Sequence, residues 1–127
     1  MPVVVDSNGW ISWLLGDANA EQFGPAITGD IAPIVPSVVM FEVVRWFRAR
    51  ADDSAVRLAC EHMLRGEQAP LGDTLAISAA LLASEHRLAM ADAIILATAQ
   101  AHGAEVWTMD ADFRHAPGVR YLPRVTA

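Results

Sequence analysis

Two short runs of strand-forming residues stand at opposite ends of the chain, Val3-Val4-Val5 and Val106-Trp107-Thr108. The first leads directly to Asp6, and the second reaches Asp110 two residues on. Between them, helical patterns alternate with short β-type runs. Parallel strands need a crossover connection between them, and a helix is the commonest one, so this alternation predicts an α/β fold with a mainly parallel central sheet. Ligands of such sheets bind outside the carboxyl ends of the strands. Asp6 and Asp110 are therefore placed where chemistry would be.

The intervening elements follow from local signals. Gly9 to Leu15 reads as a helix ending near Gly16, and Ala18 to Thr28 as a second helix weakened by Gly24-Pro25. Ile31 to Val35 reads as a strand, with Pro33 suiting an edge or an irregular end. Ser37 is positioned to cap a helix running through Val38, Val39, Phe41, Val43, Val44, Trp46 and Phe47 to about Ala51. Asp53-Ser54 caps the next helix, Ala55 to Arg65, which Gly66 closes. Leu71 is placed in a short strand, and Asp73 caps a helix from Leu75 to His86. A further helix runs from Met90 to His102 and closes at Gly103, and Val119 to Leu122 forms the last strand.

Two more acids stand out because of their neighbours. Glu42 lies inside Val38-Val39-Met40-Phe41-Glu42-Val43-Val44, and Asp92 has Ile95, Leu96 and Ala99 on its own helix face. A charge on a buried face costs several kcal/mol, on the order of the general penalty, unless it is paired or bound to a cation. Each acid also has a plain structural reading. Asp6, Ser7 or Asn8 would cap the first helix, Glu42 would pair with Arg45, Asp92 would sit favourably at a helix N-terminus, and Asp110 and Asp112 would be turn residues. Those readings account for the acids one by one, but not for their joint placement. If Asp6, Glu42, Asp92 and Asp110 converge, their repulsion raises their pKa values unless a cation intervenes. An all-carboxylate set suits a hard divalent ion, Mg2+ or Mn2+, able to activate water for phosphodiester cleavage.

In order along the chain, these segments resemble a PIN domain. Val-Val-Val-Asp-Ser-Asn at 3–8 is similar to the family's opening strand and first catalytic aspartate, and Glu42 to its second acid. Met90-Ala91-Asp92-Ala93-Ile94-Ile95-Leu96-Ala97-Thr98-Ala99 resembles the third, and Thr108-Met109-Asp110-Ala111-Asp112-Phe113 the closing motif. The short length and lack of appended domains resemble VapC-type toxins in particular. The resemblance implies a single PIN-like domain over residues 1–127, an α/β/α sandwich around a parallel sheet. It further implies a Mg2+- or Mn2+-dependent endoribonuclease that leaves 5′-phosphate and 3′-hydroxyl ends, a homodimer, and a cognate antitoxin. Carried over, Asp6, Glu42, Asp92 and Asp110 hold the metal and act in catalysis, and Ser7, Asn8 and Thr108 support them. Asp112 competes with Asp110 for the fourth ligand position.

Composition narrows the alternatives. All nine basic residues are arginine, so P-loop, Schiff-base and Ser–Lys chemistries are excluded. The same absence of lysine argues against a phospho-receiver and a haloacid-dehalogenase-like phosphatase, and Asp6-Ser7-Asn8 also lacks the latter's Asp-x-Asp. The net charge of −6 argues against a broad basic RNA-binding surface, so a bound cation or an arginine rim must meet the phosphates. Arg114, Arg120 and Arg124 are either a solvated tail or that phosphate contact. The four histidines have no ligand spacing, and Cys60 stands alone, which excludes an internal disulfide. No apolar stretch approaches the roughly 20 residues that span a bilayer, and Met-Pro-Val-Val-Val-Asp lacks signal-peptide character, so the reading is a cytoplasmic protein. Trp10 and Trp13 suit core or dimer surface, as does the apolar Ser37–Ala51 helix. A non-catalytic PIN-fold RNA-binding or assembly module, and a PIN ribonuclease outside toxin–antitoxin systems, are the alternatives that remain.

Overall fold

The structure is a computed structural model that describes residues 1–125. Five parallel strands form one sheet in the order β3-β2-β1-β4-β5. They are β1 (Val3–Val5), β2 (Ile34–Pro36), β3 (Glu67–Ala69), β4 (Glu105–Thr108) and β5 (Val119–Tyr121). Six helices cross between them: α1 (Ser7–Leu15), α2 (Gly24–Thr28), α3 (Ser37–Arg50), α4 (Asp53–Leu64), α5 (Asp73–His86) and α6 (Met90–Ala101). The chain builds outward from β1 through β2 to β3, then returns through α6 to lay β4 on the other side of β1. That reversal leaves a crevice at the carboxyl ends of β1 and β4, the point where such sheets hold their ligands.

The sequence explains why β1 is central. Val4 and Val5 are fully buried on opposite faces, as a parallel strand covered on both sides requires. Against them pack Ile34, Val35, Val106, Val39, Val43, Ile95 and Leu96, all buried. Seven consecutive residues of α6, from Ala93 to Ala99, are buried; four of them are small enough to let α5 approach closely. Thr98, within that run, satisfies its hydroxyl by donating to the Ile94 carbonyl at 2.7 Å. Gly9 lets α1 lie against the sheet, since a Cβ there would stand 2.6 Å from Phe23 Cε1 and 2.8 Å from Val5 Cγ1.

Several local expectations are corrected. The first helix begins at Ser7 rather than Gly9. Residues 18–28 do not form one helix: a 3-10 turn, Ala20–Phe23, precedes α2. The second strand is Ile34–Pro36, displaced from Ile31–Val35 because Pro33 offers no N–H; its carbonyl instead accepts from Glu67 N at 2.9 Å. Ser37 is the first helical residue and Pro36 stands at the cap, without a side-chain bond. Asp52, not Asp53-Ser54, caps α4 through its carboxylate and Ala55 N at 3.1 Å. Gly72 precedes α5 in place of Asp73, and Leu71 lies outside the strand that Glu67–Ala69 forms. That edge strand carries exposed Glu67 and Gln68, so no apolar pattern announced it. Among the described residues, no helix is long and apolar enough to cross a membrane.

Candidate active site

The carboxyl ends of β1 and β4 are tied together by side chains. Asp6 follows β1 directly, and its backbone N–H donates to the Trp107 carbonyl at 2.9 Å, extending the β1–β4 pairing. Its side chain is buried and held from two sides. Oδ1 accepts the Ser7 backbone N–H at 2.8 Å, so Asp6 also caps α1. Oδ2 accepts the Thr108 hydroxyl at 2.7 Å. That hydroxyl in turn accepts the Asp110 backbone N–H at 2.9 Å, while Asn8 Oδ1 accepts Met109 N at 3.2 Å. Ser7, Asn8 and Thr108 thus form a polar frame around Asp6.

The remaining acids converge electrostatically on this frame. Burial pushes the Asp92 carboxyl up to about 7, and the charges of Asp6, Asp110, Glu42 and Asp112 add to that in descending order. Burial also raises Asp6, against the lowering effect of the Thr108 and Ser7 hydrogen bonds, and Glu42 and Asp110 raise it further. Five carboxylates, from the end of β1, from α3 and α6 and from the segment after β4, are therefore electrostatically coupled. The capping roles expected of single acids coexist with this: Asp92 sits in the first turn of α6, and Asp110 accepts Asp112 N at 2.9 Å.

No arginine neutralises the group among the described residues, whose one ion pair is His86–Glu85. The pairing of Glu42 with Arg45 does not form; the Arg45 guanidinium lies over the Phe41 ring, 5.5 Å from its centroid. The acids are neighbours without being a closed cage. Among the described residues, no three His, Cys, Asp or Glu side chains are arranged to hold an ion as they stand.

The histidines are elsewhere. His62 packs edge-on against Trp13, His102 donates to the Thr98 carbonyl at 2.9 Å, and His115 to the His86 carbonyl at 2.8 Å. Trp10 is wholly buried, so it serves the core rather than a surface, while Trp13 is half-buried. Of the late arginines, Arg114 covers Tyr121 and Arg120 covers Trp107, whereas Arg124 lines a cleft with Ser7, Asn8, Trp46 and Met109. Trp46 also lines that cleft, although its spacing on α3 in the sequence is that of a core residue.

Comparison with known proteins matches residues 3–119 to the PIN domain family. No curated protein sequence matches significantly. Among solved structures, a toxin–antitoxin complex from Klebsiella pneumoniae is similar, with 26% identity and a TM-score of 0.76 over 94% of this chain and 96% of that one. The sarcin-ricin loop cleaving toxin VapC20 of Mycobacterium tuberculosis has 20% identity and a TM-score of 0.78, over 95% and 99% of the two chains. DNA-bound VapBC from Salmonella typhimurium has 17% identity and a TM-score of 0.74, over 97% and 98%.

Proposed function

The chain belongs to the PIN domain family, and on that premise we propose that it is a divalent-metal-dependent endoribonuclease serving as the toxin of a toxin–antitoxin pair. One observation supports the reading: the charges of Asp6, Asp110, Glu42 and Asp112 all act on the half-buried Asp92 carboxyl, and none of the five acids is ion-paired among the described residues. A core fold does not need such a cluster, and its repulsion is relieved by a bound cation. The donor set is all oxygen, which fits Mg2+ or Mn2+ rather than a soft metal.

Asp6, Glu42, Asp92 and Asp110 would hold the ion, with Asp112 beside Asp110 as the alternative fourth ligand. Bound there, the ion would supply a Lewis acid and an activated water for hydrolysis of an RNA phosphodiester. The chain's own contribution is orientation. Thr108 and Ser7 fix both oxygens of Asp6, and the Asp110 N–H bonded to Thr108 locks the turn that carries the fourth acid. No histidine lies at the acids to activate a 2′-hydroxyl, so 5′-phosphate and 3′-hydroxyl products are expected.

The toxin assignment draws on the similarity to toxin–antitoxin complexes, and with it comes a cognate antitoxin; a homodimer is the further expectation that the PIN-domain resemblance carries. The test is cleavage of structured RNA by wild type and Asp6→Asn, each with and without EDTA. Cleavage that requires the metal and falls by orders of magnitude in the variant is the expected result. Cleavage unaffected by EDTA would overturn the proposal, and a wild type inert toward RNA would instead indicate a binding or assembly module.

A further inference from the structure

A cleft of about 350 Å3 lies beside Asp6, whose carboxylate accepts hydrogen bonds from two of the cleft's lining residues, Ser7 and Asn8. Its walls are Ser7, Asn8, Ile11, Ser12 and Leu15 on one side with Asp17, Trp46, Met109 and Arg124. Three of these are tied to the acids by the chain itself. Ser7 follows Asp6, Met109 precedes Asp110, and Trp46 lies one helical turn beyond Glu42 on the same face of α3.

The lining is mixed in a specific way. Trp46 is half-buried, with the Arg50 guanidinium 4.6 Å from its ring centroid, so an aromatic ring and a cation are already paired at this edge. Arg124 is exposed and has no acidic partner among the described residues. Its backbone is held in place on both sides. The Pro123 carbonyl accepts from Gln22 Nε2 at 3.1 Å, and Val125 N donates to Asn19 Oδ1 at 2.6 Å. The nearby acid is engaged: Asp17 Oδ1 accepts both the Ser12 hydroxyl and the Asn19 N–H. In a chain of net charge −6, an arginine without an acidic partner on this wall is a local exception.

Resting on the ribonuclease reading above, we infer that this cleft is a nucleotide subsite, in which Arg124 takes a backbone phosphate and Trp46 stacks the base of an unpaired RNA residue flanking the scissile bond. A ring and a cation side by side are the two elements that single-strand binding sites combine. The cleft's volume lies at the lower end of ligand pockets, of roughly 300–1,000 Å3, which suits one nucleotide.

The experiment measures binding of a short, fluorescently labelled single-stranded RNA to protein carrying Asp6→Asn, in Mg2+, across a salt series. Adding Arg124→Gln lowers affinity and reduces the slope of log K against log salt by about 0.7, the value for one phosphate contact on a single strand. Arg124→Lys restores the slope. Adding Trp46→Leu weakens binding by roughly tenfold, as loss of one stacked base does, without changing the slope. Trp46→Phe, which keeps the packing against Phe47, gives a smaller loss and guards against misfolding of the leucine variant. Unchanged affinity and slope in the Arg124 and Trp46 variants, with Asp6→Asn still abolishing cleavage, would overturn the subsite and leave the ribonuclease reading standing. A wild type that neither binds nor cleaves RNA would overturn both.

Discussion

Thr108 donates its hydroxyl proton to Asp6 Oδ2 at 2.7 Å, joining residues 102 positions apart in the chain. The Thr108 hydroxyl oxygen accepts Asp110 N at 2.9 Å, so one buried side chain sets the positions of two of the acids. Thr108→Val keeps the volume but leaves the Asp6 carboxylate and the Asp110 N–H without this partner. A stability loss of about 1–3 kcal/mol is expected, the cost of an unsatisfied buried group. Metal affinity should fall roughly 10- to 100-fold, as it does when a ligand's orienting partner is removed. Thr108→Ser should recover most of both. Chemical denaturation and metal titration of the two variants check this, and a valine variant as active as wild type would deny Thr108 its positioning role.

The raised carboxyls predict an unusual pH dependence for the metal-free protein. Asp92 sits at about 7 in the folded state against an ordinary 3.8, and burial moves Asp6 in the same direction. The folded state therefore binds more protons than the unfolded state between those limits. Its stability from these groups is fully present below the ordinary value and is lost as pH rises through about 7. Thermal melts in EDTA should show Tm falling over that window. Asp92→Asn should flatten the fall, and added Mg2+ should oppose it. A Tm that rises with pH in EDTA and ignores Asp92→Asn would mean the carboxylates do not repel.

How much of this was legible in the sequence depended on how local each signal is. Val3–Val5 and Val106–Thr108 were readable because central parallel strands are apolar throughout, and Asp6 and Asp110 could be placed at their ends. Asp92 stood out as a charge in a helix otherwise buried over seven residues. The Glu67–Ala69 strand was not legible, because an exposed edge carries no apolar code. Nor was the convergence of Trp46 with Arg124, residues from α3 and from beyond β5 that only the folded sheet brings to one cleft.

Association should use surface that the core leaves uncovered. Phe41 is 60% exposed on α3, and Ile77 and Leu81 are 64% and 67% exposed on α5. Trp10, for which the sequence left core or dimer surface open, lies in the core. If the proposed homodimer forms through the α5 face, Leu81→Glu should shift the light-scattering mass from dimer to monomer while circular dichroism is unchanged. A monomeric wild type at high concentration would contradict dimerisation.

The central claim is that Asp6, Glu42, Asp92 and Asp110 act as one cation site, and Mn2+ binding followed by electron paramagnetic resonance tests it most directly. Each substitution to the amide keeps shape while removing a ligand charge, so free Mn2+ reports the site without dependence on any RNA. Wild type is expected to take up Mn2+ saturably, with competition by Mg2+, and Asp6→Asn and Asp92→Asn are each expected to weaken uptake at least tenfold, the order seen when a metal site is disturbed. Folded wild type that leaves Mn2+ free, or variants that bind it as tightly as wild type, would contradict the account.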